Sequence, residues 1–223
     1  MTTLFRLDAS LFPQVSTTRV LADRVEAGLI SSTQLDGSRP EVIRRDIARD
    51  PVPAAAWAAA LTSGATPPEQ RSEDQRNAVE LSTRLADELV SADGFVLAMP
   101  LYNWGVSQHV KGWADLVITN PRFGPRERPL AGRPGVLVMA RGGSYAPGSP
   151  RADWDHATAW YERVLRDAWG MDLRTISVEL TLANRNEYMA HLRDEAAAHL
   201  ERAGVEADEH GAWLAERLTP VLV

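Results

Sequence analysis

A chain of 223 residues suits one large domain, or one domain with an appended tail, and is long enough to bury a sizeable core without disulfides or metal. It contains no cysteine, which excludes a disulfide framework, thiolate zinc sites and a cysteine nucleophile and fits a reducing cytoplasm. The formal net charge of −6 disfavours nucleic acid or an anionic membrane surface as the main partner. Charges at Arg6 and Asp8 break the apolar stretch a signal peptide needs, and no segment approaches the roughly 18 apolar residues of a membrane span. A soluble, cytoplasmic protein is expected.

Apolar runs and amphipathic stretches alternate along the chain. Leu4–Leu7 reads as a first strand, and a loop from Asp8 to Val15 leads into a helix over 16–28 with Val20, Leu21, Val25 and Leu29 on one face. Glu41–Asp46 is a short, polar strand suited to a sheet edge. The Ala- and Pro-rich segment 48–68 is a partly helical excursion, and a clear helix follows to Val90. Residues 94–99 form the third strand and 107–119 its helix; 133–140 form the fourth strand. A helix over 152–169, a fifth strand over 173–180 and a last helix over 186–203 complete the pattern.

Five strands alternating with helices predict an α/β fold with a parallel sheet covered on both faces, in strand order 2-1-3-4-5. The domain is expected over 1–205, with 206–223 as an acidic, amphipathic tail. The switch point of that order lies between strands one and three, so the loops after them become neighbours, where ligands bind in such sheets.

Those loops carry the candidate chemistry. Ser10 ends the first strand, and Ser16, Thr17 and Thr18 stand at a helix start, where free N–H groups and small hydroxyls suit a phosphate. A plain N-cap would account for Ser16 alone. No Walker lysine pattern and no G-x-G-x-x-G is present, and no G-x-S-x-G elbow supports hydrolysis. Pro100-Leu101-Tyr102-Asn103-Trp104 ends the third strand with an amide between two aromatics, the parts needed to hold a flat hydrogen-bonding ring, although an ordinary turn could use them. Ala140-Arg141-Gly142-Gly143 follows the fourth strand, where two glycines permit close backbone approach, and Ser144 and Tyr145 come next.

Other residues are weaker candidates. His109 reads as a helical surface residue, and the spacing of Asp153, Asp155 and His156 matches no common metal site, so no metal is expected. Arg122, Arg126 and Arg128 form a basic loop, either solvated or acting as a lid or subunit contact.

From about residue 3 to 200 the chain resembles the FMN-dependent NADH-azoreductase and quinone-reductase family, a branch of the flavodoxin-like fold and hence a three-layer sandwich. Pro100-Leu101-Tyr102-Asn103-Trp104 resembles the family's Pro-Met-Tyr-Asn-Phe loop around the flavin ring, and Ala140-Arg141-Gly142-Gly143 its Ser-Arg-Gly-Gly loop. Ser10 and Ser16-Thr17-Thr18 match hydroxyls that hold the FMN phosphate, and Lys111–Leu116 resembles a Lys-x-x-x-Asp-Leu stretch. The departures are Leu101, Trp104, Ala140 and Ser144-Tyr145, the last bearing on the substrate pocket.

The resemblance implies a homodimer with FMN near the interface and ping-pong transfer from NADH or NADPH through flavin to an acceptor, with the flavin carrying the chemistry. It assigns the Gly142 and Gly143 amides to negative charge on the ring, Asn103 to the ring's polar edge, and Tyr102 and Trp104 to its apolar surround, with no protein acid or base required. The expected function is an NAD(P)H oxidoreductase for quinones or other aromatic acceptors, with azo compounds reduced adventitiously. A flavodoxin-type electron carrier and a flavin-free scaffold are the alternatives.

Overall fold

Strands whose apolar side chains are buried on both faces set the architecture. In the computed structural model, which describes residues 2–32 and 39–219, β1 (Thr3–Asp8), β2 (Glu41–Asp46), β3 (Gly94–Ala98), β4 (Pro134–Ala140) and β5 (Asp172–Val178) form one sheet. All pairings are parallel and the order is β2-β1-β3-β4-β5, as expected. Successive side chains leave opposite faces: Phe5, Phe95, Leu97 and Leu137 enter one core, and Leu4, Val96, Val136 and Val138 the other. The inner strands β3 and β4 are buried throughout, whereas β2 and β5 are partly exposed edges.

Helices cover both faces. On one side lie α2 (Ala56–Ser63), α3 (Glu73–Val90), α4 (Gln108–Ile118) and α5 (Thr158–Glu162). There Trp113 stacks on Phe5 at 6.4 Å and meets Trp169 edge-on at 5.6 Å. On the other side lie α1 (Thr17–Ser32) and α6 (Arg193–Leu218). Among the described residues no helix is long and apolar enough to cross a membrane.

The structure departs from the sequence pattern in four places. Val20 is 62% exposed; the buried stripe of α1 runs through Thr18, Leu21, Ala22, Val25 and Leu29. The helix expected from residue 152 begins only at Thr158, because Asp155 accepts the amides of Ala157 and Thr158, both at 2.9 Å, and ends a turn-rich segment. It then widens into a π-helical turn over Arg163–Ala168. Leu180 adopts φ +60°, which ends strand geometry before the expected limit.

The fourth departure is the C-terminus. Residues 187–192 form a 3₁₀ turn, and α6 then runs unbroken from 193 to 218, across the expected boundary between domain and tail. Residues 220–223 of the expected tail lie outside the described residues. Ala207, Leu214 and Ala215 are buried, and Arg24 pairs with Asp208 across to α1. Gly28 and Gly211 bring the two helix backbones together: a Cβ on Gly211 would stand 2.5 Å from the Val25 carbonyl oxygen and 2.9 Å from Gly28 Cα.

Candidate functional site

The carboxyl ends of β1, β3, β4 and β5 open onto a cavity of about 410 Å³, within the usual range for small-molecule clefts. Each wall follows from how the chain leaves its strand.

β1 keeps pairing one residue beyond its end, through Ala9 N–H to the Ala98 carbonyl at 3.0 Å. The chain then turns at buried Ser10, makes one 3₁₀ turn over Pro13–Val15, and starts α1. Ser16 does cap the helix, since Arg19 N–H donates to its Oγ at 3.2 Å. That cap leaves the first helical N–H groups, at Thr17 and Thr18, without intrahelical acceptors. Ser16 Oγ and Thr18 Oγ1 lie 3.1 Å apart. With no acid in the first turn of α1, its positive dipole end is unmasked.

Beneath this loop lies an ion network. Arg6, 3% exposed, bonds to Asp8 at 3.2 Å and Glu26 at 3.0 Å. Arg19 reaches Asp46 at 2.7 Å and approaches Asp8 at 3.8 Å. Burial pushes the Glu26 carboxyl up, but hydrogen bonds and charge from Arg44 and Arg6 outweigh it and hold the group below its ordinary range.

After β3, Leu101 N–H bonds to the Ala140 carbonyl at 3.0 Å, so sheet pairing carries Pro100 and Leu101 to the cavity. Tyr102 and Gly105 then close a two-residue turn by reciprocal backbone bonds at 3.2 and 3.0 Å. Asn103 and Trp104 occupy it at φ +47° and +64°, the signs of a type I′ turn. Asparagine tolerates this conformation; a bulky tryptophan does not do so freely. Trp104 is held there by an edge contact with Trp154 at 5.5 Å and by His156 N–H donating to its carbonyl at 2.9 Å. Tyr102 Oη accepts the Leu11 N–H at 3.1 Å and so ties the first loop to the second.

After β4, Ala140 and Gly142 line the cavity while the Arg141 side chain turns away. Its guanidinium donates to Asp155 at 2.9 and 2.6 Å, to Thr158 at 2.8 Å and to Ser177. Burial raises the Asp155 pKa, but bonds from Thr158 and Ala157 and the Arg141 charge hold it below the usual carboxylate range. Glu179 accepts the Ser144 hydroxyl and the Tyr145 N–H, both at 3.0 Å, and burial pushes the Tyr145 hydroxyl pKa up. The loop after β5 locks on by Thr181 N–H to the Arg141 carbonyl and Leu182 N–H to the Gly142 carbonyl. There Arg185 Nη2 donates to the Val15 carbonyl at 3.0 Å.

The cavity thus gathers Ser10, Ser16, Thr17, Thr18, Pro100, Leu101, Tyr102, Ala140 and Gly142 from the expected set. Asn103 instead lines a neighbouring cleft of about 730 Å³, which shares Phe12 and Tyr102 with the first and includes Trp57, His109 and Lys111. Trp104, Arg141, Gly143, Ser144 and Tyr145 line neither space. Lys111 pairs with Asp115 one turn on, at 2.5 Å. Asp153 and His156 are exposed while Asp155 faces Arg141, so these three do not converge. Arg122 pairs with Asp87, and none of Arg122, Arg126 and Arg128 reaches either space.

Thr181, Leu182 and Arg185 were not expected in the lining. The signal was available: β5 neighbours β4 in the predicted order, so its carboxyl end had to open beside the Gly142 loop. Chemically, the cavity offers hydroxyl and N–H donors at a helix start, one cation, no acid, and an apolar surface continuous with them. A ligand with an anionic end and a flat ring fits this set.

A family model described as flavodoxin-like fold matches residues 2–202. A protein of Streptomyces coelicolor named FMN-dependent NADH:quinone oxidoreductase is 38% identical over 223 residues, covering 98% of each chain. A protein of Kineococcus radiotolerans with the same name is 36% identical over 213 residues, covering 92% of this chain and 96% of its own. The crystal structure of an azoreductase from Bacillus anthracis shares the fold with a TM-score of 0.74 at 17% identity, over 96% of this chain and 100% of its own. The chain belongs to this flavodoxin-like family, alongside relatives named FMN-dependent NADH:quinone oxidoreductase.

Proposed function

We propose that the protein is an FMN-dependent NADH:quinone oxidoreductase that reduces azo compounds adventitiously. The observation that carries this reading is a single cavity joining the hydroxyls at the start of α1 to the surface formed by Pro100–Tyr102 and Gly142. Bound FMN supplies the electron transfer between nicotinamide and acceptor.

The chain's own residues bind and orient. Ser10, Ser16, Thr17 and Thr18 hold the phosphate, through side chains and the unpaired amides of the first turn. Pro100, Leu101, Tyr102, Ala140 and Gly142 would bound the ring, with the Gly142 amide available to negative charge on it. Arg141 acts as a brace for this wall, its side chain committed to Asp155 and its backbone paired with Val178 and Thr181. Asn103 and the cleft beyond Tyr102 receive the nicotinamide and the quinone, whose flat rings suit walls built by Phe12, Val52, Trp57 and Val106. Ser144 and Tyr145 shape the pocket at a distance, through Glu179.

We further propose a cytoplasmic homodimer. Leu11, Phe12, Trp104, Trp154 and Leu182 are large, exposed apolar side chains on the loops around the site, and apolar surface grouped in this way favours a protein partner. A steady-state assay of NADH oxidation with a simple benzoquinone tests the activity. Oxidation that requires both FMN and quinone, with parallel double-reciprocal lines, supports the enzyme. NADH consumption that no quinone accelerates rejects it in favour of an electron carrier.

A further inference from the structure

Arg185 is the single charged side chain among the residues lining the 410 Å³ cavity. It comes from the loop after β5, and its Nη2–Val15 bond at 3.0 Å carries the guanidinium across to the carbonyl directly preceding buried Ser16. The guanidinium therefore stands at the lip of the hydroxyl loop.

Charge balance makes this position consequential. Hydroxyls and amides are neutral donors, and burying an anion among neutral groups is costly unless a cation accompanies it. The other arginines nearest the loop are already committed: Arg6 to Asp8 and Glu26, and Arg19 to Asp46. Among the described residues Arg185 makes no ion pair, and one bond to a carbonyl leaves most of its N–H donors free. A planar fork with spare donors is suited to phosphate oxygens.

Building on the FMN reading above, we infer that Arg185 recognises the phosphate of the flavin nucleotide. It supplies the positive charge that the hydroxyl loop lacks while keeping its hold on Val15. It thereby makes the site select FMN over riboflavin, which has the same ring and no phosphate.

The test is flavin binding by the apoprotein, followed through flavin fluorescence, with FMN and riboflavin titrated separately into wild type, Arg185→Gln and Arg185→Lys. Glutamine removes the charge and keeps an amide donor, and because Arg185 is exposed, the fold is expected to survive, which circular dichroism checks. The expected result is a loss of FMN affinity in Arg185→Gln of roughly tenfold to a hundredfold, with riboflavin affinity unchanged and Arg185→Lys in between. Equal FMN affinity in wild type and Arg185→Gln overturns the inference and leaves the FMN reading intact. Parallel losses for both flavins also overturn it, because they mark a clasp between loops and no phosphate contact. Failure of wild type to bind either flavin overturns the FMN reading together with this inference.

Discussion

The hydroxyl of Tyr102 accepts the backbone N–H of Leu11 at 3.1 Å, across 91 residues of sequence. One side chain thereby couples the loop after β1 to the loop after β3 at the switch point of the sheet. It also stands between the two cavities, since Tyr102 lines both.

Tyr102→Phe keeps the ring and removes the acceptor. A hydrogen bond of this kind contributes about 0.5–1.5 kcal/mol, so a small drop in melting temperature and a several-fold loss of FMN affinity are expected. Thermal melts and flavin titration check both. An unchanged melt and affinity would show that the two loops hold their positions without the bond.

Asn103 separates backbone from side chain. At φ +47°, Asn103→Ala strains the turn by about 1 kcal/mol, whereas Asn103→Gly relieves it. If the amide contacts the cofactor or the nicotinamide, both variants slow flavin reduction by NADH in stopped flow. Recovery of the wild-type rate in Asn103→Gly alone would reduce the role of Asn103 to turn geometry.

Glu26 gives a pH signature. Its folded pKa lies below the ordinary 4.5 because Arg44 and Arg6 outweigh burial. A lowered carboxyl pKa contributes stability above pH 4.5 that is lost as pH falls through the folded value. Glu26→Gln leaves buried Arg6 short of a partner and is expected to cost about 3 kcal/mol at neutral pH. The gap to wild type should narrow steadily below pH 4.5; a gap independent of pH in urea unfolding would contradict the ion-network reading.

Gly211→Ala tests whether α6 is integral to the fold. The added Cβ meets the Val25 carbonyl and Gly28 Cα, backbone atoms that cannot swing aside. A destabilisation of about 1–3 kcal/mol is expected from forcing the helices apart. A melt identical to wild type would mean that the contact between α1 and α6 is loose.

The strands, their order and most of the lining were legible because they depend on local pattern: apolar runs, turn residues at strand ends, and hydroxyls at a helix start. What escaped depends on contacts distant in sequence. The start of α5 is fixed by Asp155, whose carboxylate is in turn held by Arg141. The extent of α6 follows from Gly211 meeting Gly28. Arg141 looked like a ligand contact from its place in the loop, yet its partners Asp155 and Ser177 lie on segments that no spacing rule connects to it. Val20 fits a helical apolar stripe, but the buried face of α1 instead passes through Thr18, two residues earlier and on the other side of the helix.

If this cavity holds FMN where NADH can reduce it, an anaerobic NADH titration of the FMN-reconstituted protein will show it. The expected result is stoichiometric bleaching of the visible flavin absorbance, reversed when a quinone is added. Flavin that binds but is left unbleached by excess NADH would contradict it.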